Sequence, residues 1–374
     1  MFDHIQQWGQ LRFSQQPPTP ADLLIFAAMA YCPMERLGGH GYGWPLSLTT
    51  PVLYPLPIRS TDGAAAVKRR RLWQAAAESI RFGECKFGGF RAHFSPEKEQ
   101  QFAACAFRIA PQTGVIAFRG TDSTLVGWKE DFNLSLETPV PAQQDAARFL
   151  DEMLVMYQQV YVVGHSKGGN LALFAAAMCN PLLQPRIVQV INFDGPGLDE
   201  RIRSGDGYRA LAGRITTYVP QDSIVGMLMN GGEPYTAIRS GGAGLGQHDP
   251  FLWQLEGGAL VPADGLSQQS RYATATLRTF LSSLPITQRK TVVDAIFSIL
   301  NATGARKVGQ IPLGALFHLD EVLKATAGLT GEQQRALLSA LLKLLGAGAS
   351  HLNVLLEKPA TGLAEGGLPD GSGE

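Results

Sequence analysis

The chain has 374 residues, 45% hydrophobic and 17% charged, enough for one large domain with an appendage or for two domains. Its 32 Lys and Arg balance 32 Asp and Glu, so no global field favours nucleic acid or an anionic membrane. Four scattered cysteines (Cys32, Cys85, Cys105, Cys179) without C-x-x-C spacing argue against zinc and against a disulfide framework.

The start, Met1-Phe2-Asp3-His4, carries neither a basic n-region nor an apolar h-region, and residues 1–20, with Pro17-Pro18, read as a loosely packed lead-in. Ala21 to Met34 reads as a largely buried helix. The longest apolar run, Leu23 to Tyr31, is about half of what a membrane span needs, so a cytoplasmic protein is expected. From Gly38 to Asp62 the text is irregular, rich in Gly, Pro and Thr. Lys68 to Arg81 restores a helical pattern, and its basic cluster Lys68-Arg69-Arg70-Arg71 is expected to form a solvated surface.

A β-rich centre begins near Cys85. Strands are expected at Phe87–Phe90, Phe102–Arg108 and Gly114–Arg119, then a helix over about Ala142 to Gln158. Further strands are expected at Tyr161–Val163, Ile187–Phe193 and Arg214–Pro220. Short apolar strands alternating with helical segments imply an α/β sandwich, a mainly parallel sheet covered on both faces over residues 21–266. Ligands of such sheets sit at the carboxyl ends of the strands. From about Ser267 the pattern turns wholly helical. Segments 268–283, 287–301, 315–327 and 331–345 make an all-helical C-terminal region over 267–357, and 358–374 reads as a disordered tail.

The most informative stretch is Tyr161-Val162-Val163-Gly164-His165-Ser166-Lys167-Gly168-Gly169-Asn170-Leu171-Ala172. A β-branched strand runs into Gly-x-Ser-x-Gly and straight on into a helix, which is the context of a nucleophile elbow. Gly164 and Gly168 leave room where a Cβ would collide with the neighbouring strand and helix, and the helix aims free N–H groups at the site.

A serine hydroxyl needs a base, and usually a carboxylate to orient that base. Downstream of Ser166 stand His248, His318 and His351, the last two in the helical region. His248, in the flexible loop Gly241–Pro250, is the expected base, and His165 is read as a packing residue. Three carboxylates compete for the acid. Asp222 follows the Ile215–Val219 strand and is preferred; Asp194 ends the strand Ile187–Phe193; Asp249 is too close to His248 to orient its ring easily. The oxyanion hole needs two donors. These are expected from the Lys167 N–H and from Thr121, whose N–H and hydroxyl can both donate after the strand ending Phe118-Arg119-Gly120. The carboxylates in Trp128-Lys129-Glu130-Asp131 are expected to tie that loop down.

Together, Val115 to Phe132, the elbow Val162 to Ala176, Tyr218 to Met227 and Gly246 to Trp253 resemble the class III (fungal-type) lipases of the α/β-hydrolase superfamily. The similarity is closer to a bacterial family related to them (Mbeg-like), whose members show GHSKGGNLA and an N-terminal D-L-L-x-F-x-x-M-A-Y helix. It covers roughly residues 20 to 301. It implies Ser166 as nucleophile, Asp222 as acid, His248 as base and Thr121 at the oxyanion hole, with no metal or cofactor needed. Lys167 stands where those lipases often carry a small or apolar residue, and no long apolar lid is evident, both of which count against a triglyceride substrate.

A serine hydrolase is therefore expected, esterase- or lipase-like and acting on a small or lipid-derived ester through a Ser-Asp-His triad. An acyltransferase or thioesterase would use the same residues. The rival from another class is a hydrolase-like fold serving as an interaction module, with the helical C-terminal region as the docking surface for a protein partner.

Overall fold

A computed structural model describes the chain except for residues 39–40, 123, 135–137, 230–231, 303–328 and 356–374. The expected helix at 315–327 and the expected disordered tail lie outside the described residues. Seven strands form one sheet in simple chain order: β1 (Lys86–Ser95), β2 (Gln100–Ala110), β3 (Thr113–Phe118), β4 (Gln159–His165), β5 (Ile187–Phe193), β6 (Ile215–Pro220) and β7 (Thr236–Ile238). β1, β2 and β3 pair antiparallel, while β3 through β7 are parallel. The parallel run needs crossovers, and helices Pro141–Met156 and Lys167–Met178 supply them between β3, β4 and β5.

Period-two alternation sends successive side chains to opposite faces. Val115, Ala117, Val163 and Ile191 face one apolar core, with Leu23 to Ala30 and the helix Ala64–Glu78. Ile116, Phe118, Val160, Val162 and Val190 face the other, under helices Pro141–Met156 and Lys167–Met178. Both faces being covered explains why these strands read as continuous apolar runs.

Residues 1–20 are not a loose lead-in. Phe2–Trp8 is helical, with His4 and Ile5 buried, and Thr19 caps helix Pro20–Met29 through a reciprocal bond with Asp22. The physical reason is a charge: Asp22 is fully buried and needs partners. Arg81 Nη2 lies 2.6 Å from its Oδ2, and His4 Nε2 lies 2.9 Å from its Oδ1. Burial works against ionisation, yet the Arg81 and His4 contacts prevail and hold the Asp22 carboxyl down at about 2.

The C-terminal helices Gln268–Ser283, Ile286–Ala302 and Gly331–Ser350 pack on one another and on the sheet domain. Ser270 Oγ donates to the Ser223 carbonyl. Lys129 Nζ, on helix Leu125–Asn133, lies 2.8 Å from Asp294 Oδ1. Among the described residues no helix is long and apolar enough to cross a membrane.

Candidate active site

The parallel strands end side by side, Phe118 beside Gly164 and His165 beside Phe193. This places Thr121, Ser166, Asp194 and Asp222 just beyond the carboxyl edges of β3, β4, β5 and β6. Ser166 has φ 60° and ψ −135° as it leaves β4 for helix Lys167–Met178. A side-chain-bearing residue in such a conformation stores about 1–3 kcal/mol, which the surrounding packing must hold. The turn tolerates no bulk: a Cβ on Gly164 would lie 1.9 Å from the Gly168 carbonyl oxygen, and one on Gly168 2.1 Å from that of Phe118. Gly120 is pressed on the elbow in the same way, since its Cβ would meet Tyr31 Oη at 2.0 Å. The serine is half-buried, and its hydroxyl has no hydrogen-bond partner among the described residues.

His248 sits in the short helical turn Gly244–His248, and its Nδ1 lies 2.6 Å from Asp194 Oδ2. Asp194, not the preferred Asp222, is thus the carboxylate on His248. Asp194 is 1% exposed, and its Oδ1 accepts from Ser223 Oγ (2.5 Å) and the Gly226 N–H (3.1 Å). With Nδ1–H donating to Asp194, the imidazole Nε2 is left for other work, and the ring is 26% exposed. Asp222 has a structural task instead. Its Oδ2 accepts the Gly244 N–H (2.8 Å) and Gln247 Nε2 (3.0 Å), while its own N–H donates to Gln247 Oε1 (2.9 Å). This shapes the loop that carries His248. Asp249 pairs with Lys68, 2.9 Å away.

His165 does more than pack. Its Nε2 lies 2.8 Å from the His248 carbonyl oxygen, so Nε2 carries the proton and Nδ1 is left to accept from Tyr31 Oη at 3.2 Å. Its ring lies 4.6 Å from that of His248, centroid to centroid. Burial, then the neighbouring His248, holds its pKa well below the usual histidine value and keeps it neutral. Trp253 closes the loop by donating to the Gln247 carbonyl at 2.7 Å. Neither Tyr31 nor the His165 contact was foreseen; the GHS tripeptide puts His165 beside the nucleophile, but its partners come from distant segments.

The Thr121 hydroxyl is engaged, donating to Asp131 Oδ2 at 2.5 Å, whereas its N–H makes no hydrogen bond among the described residues. Lys167 keeps its N–H at the helix start, while its side chain runs inward. The Lys167 ammonium is 1% exposed and donates to Glu130 Oε2 (2.9 Å), the Gln101 carbonyl (2.8 Å) and Gln101 Oε1 (3.0 Å). Glu130 also accepts the N–H groups of Gln101 and Ala142. The residue after the nucleophile therefore bolts the segment following β3 to the elbow from beneath.

A family model described as Mbeg1-like matches residues 76–298. Among solved structures the chain is similar to M37 lipase, at 17% identity over 56% of the chain and 70% of the lipase with a TM-score of 0.37. It is also similar to a Rhizomucor miehei lipase in its propeptide complex, at 14% identity over 58% and 66% with a TM-score of 0.36. A fungal lipase bound to an inhibitor shares 16% identity over 58% and 76%, with a TM-score of 0.37. No curated protein matches the chain.

Proposed function

The chain belongs to the Mbeg1-like family, and we propose that it is a serine hydrolase cleaving an ester through Ser166, His248 and Asp194. The observation that carries this is the Asp194–His248 contact of 2.6 Å, together with a serine held at φ 60° on a glycine-flanked turn at the same strand edge. His248 Nε2 takes the Ser166 Oγ proton as Oγ bonds the carbonyl carbon. The carbonyl π pair moves to oxygen, where the N–H groups of Lys167 and Thr121 hold it, each donor lowering the barrier by about 3 kcal/mol. Collapse breaks the bond to the alkoxide, which receives the proton from His248. Water, deprotonated by the same nitrogen, then releases the acid and restores Ser166. Asp194 holds the imidazole in the Nδ1–H tautomer and stabilises the imidazolium.

A fluorophosphonate probe tests this. Wild type should be labelled, and Ser166→Ala and His248→Ala should lose labelling and ester turnover by about 10⁴-fold or more. Labelling that survives in folded Ser166→Ala would overturn the assignment.

A further inference from the structure

Next to the elbow lies a cavity of about 410 Å³ between the segment after helix Pro20–Met29, the 54–62 loop and helix Ala64–Glu78. Five arginines line it, Arg36, Arg59, Arg69, Arg70 and Arg119, against two carboxylates, Glu35 and Asp62. Both carboxylates are already spoken for. Glu35 lies 2.7 Å from Arg119 and Asp62 lies 3.7 Å from Arg59. Arg36 donates to the Leu53 carbonyl and Arg70 to that of Leu56. The half-buried Arg69 side chain makes no hydrogen bond or ion pair among the described residues. Among the described residues Arg70 Nε is buried with no hydrogen-bond partner, and Tyr54 Oη has none but the Cys32 thiol beside it. Donors left over in a concave, cation-rich wall are what a multivalent anion would satisfy. The basic cluster, expected as solvated surface, instead turns Arg69 and Arg70 into this cavity.

Its position ties it to the chemistry. Tyr31 lines the cavity, and its hydroxyl donates toward the His165 carbonyl and Nδ1, each 3.2 Å away. Arg119, on the same wall, directly precedes the Gly120-Thr121 segment pressed on the elbow. Lys68, one residue before Arg69, reaches Asp249, the neighbour of His248. The helix thus spans from the histidine loop to the cavity.

We propose that this cavity is an anion subsite, centred on Arg69, that holds a phosphate group carried by the ester substrate. The proposal rests on the hydrolase reading for the word substrate; the anion site itself does not need it. Two measurements separate the two. First, inorganic phosphate is titrated calorimetrically into full-length Ser166→Ala and into the Ser166→Ala, Arg69→Gln double variant. Saturable binding that weakens about tenfold or more with Arg69→Gln is expected, the loss of one charge-assisted contact. Second, 1-butyrylglycerol 3-phosphate and 1-butyrylglycerol are compared as substrates. The phosphate ester should be preferred about tenfold or more in kcat/KM, through KM, with the preference falling toward unity in Arg69→Gln and partly kept in Arg69→Lys. Absence of saturable phosphate binding, binding indifferent to Arg69, or a preference that survives Arg69→Gln overturns the subsite even if Ser166 is labelled. Phosphate bound through Arg69 with no labelling and no turnover of either ester overturns the hydrolase reading and leaves the anion site standing.

Discussion

Of the three aspartate–histidine pairs among the described residues, Asp22–His4 at 2.9 Å and Asp194–His248 at 2.6 Å are the two whose carboxylate is sealed from solvent. Both aspartates are almost fully buried, and each has both carboxylate oxygens occupied. They differ in what surrounds the imidazole. His4 is 2% exposed, stacked near Trp8, and shares Asp22 with the Arg81 guanidinium. The net result is a sealed ion network that staples the N-terminal helix to the core. Among the described residues no Lys or Arg pairs with Asp194; a hydroxyl and a backbone N–H bind its Oδ1, and the His248 side chain stays 26% exposed. The same pair is a staple where the imidazole is sealed from solvent and a guanidinium shares the carboxylate, and a candidate base where the imidazole reaches solvent.

The sharpest way to break this contrast is to remove each carboxylate's task. Asp194→Asn should lower ester turnover by about 10⁴-fold, because an amide no longer enforces the Nδ1–H tautomer, while the melting temperature moves little. A loss under tenfold in a folded variant would return the acid role to Asp222 or dispense with it. On the other side, Arg81→Met should destabilise the fold by about 3–5 kcal/mol by leaving Asp22 buried and poorly compensated, and leave Ser166 labelling intact below the melting transition. Denaturant titration with probe labelling reads both.

Acid pH separates the regions further. Asp22 has a folded pKa lowered to about 2, so its contribution is whole above the unfolded carboxylate value near 4 and is lost as pH falls through about 2. His165 also has a lowered folded pKa, so the unfolded chain binds more protons below about 6.5 and stability declines as pH drops from there. Melting curves should therefore fall between pH 7 and 5 in wild type, and His165→Asn should flatten that slope by about 1 kcal/mol or more. An unchanged slope would mean that His165 is not held neutral. The smallest effect belongs to Asp222→Asn, which loosens the loop around Gly244 and Gln247 and should cost about tenfold or less in turnover.

Much of the fold could be read from pattern. Continuous apolar strands and 3.6-period helices announced a two-faced parallel sheet, and the helices Gln268–Ser283 and Gly331–Ser350 begin where their periodicity places them. The elbow was legible because the serine, its glycines, the strand before and the helix after are contiguous. His248 was legible because no other downstream histidine lay outside the helical region. Asp194 and Asp222 could not be separated that way: both follow adjacent parallel strands, and nothing in a linear pattern says which one a ten-residue loop will reach.

What the sequence determined by itself was the local chemistry: a strained serine between two glycines, a histidine on a flexible loop, carboxylates at strand ends, and a segment after Phe118 able to offer an N–H. Tertiary structure decided the partnerships. Asp222 spends its Oδ2 on the Gly244 N–H and Gln247, which sets the loop so that His248 meets Asp194. The Lys167 ammonium finds Glu130 thirty-seven residues back, and Arg69 turns from an expected solvent face into a cavity beside the elbow. Such pairings depend on which side chains are left unsatisfied once the sheet and its crossovers have closed, because a buried charge takes whichever partner the packed chain brings within reach.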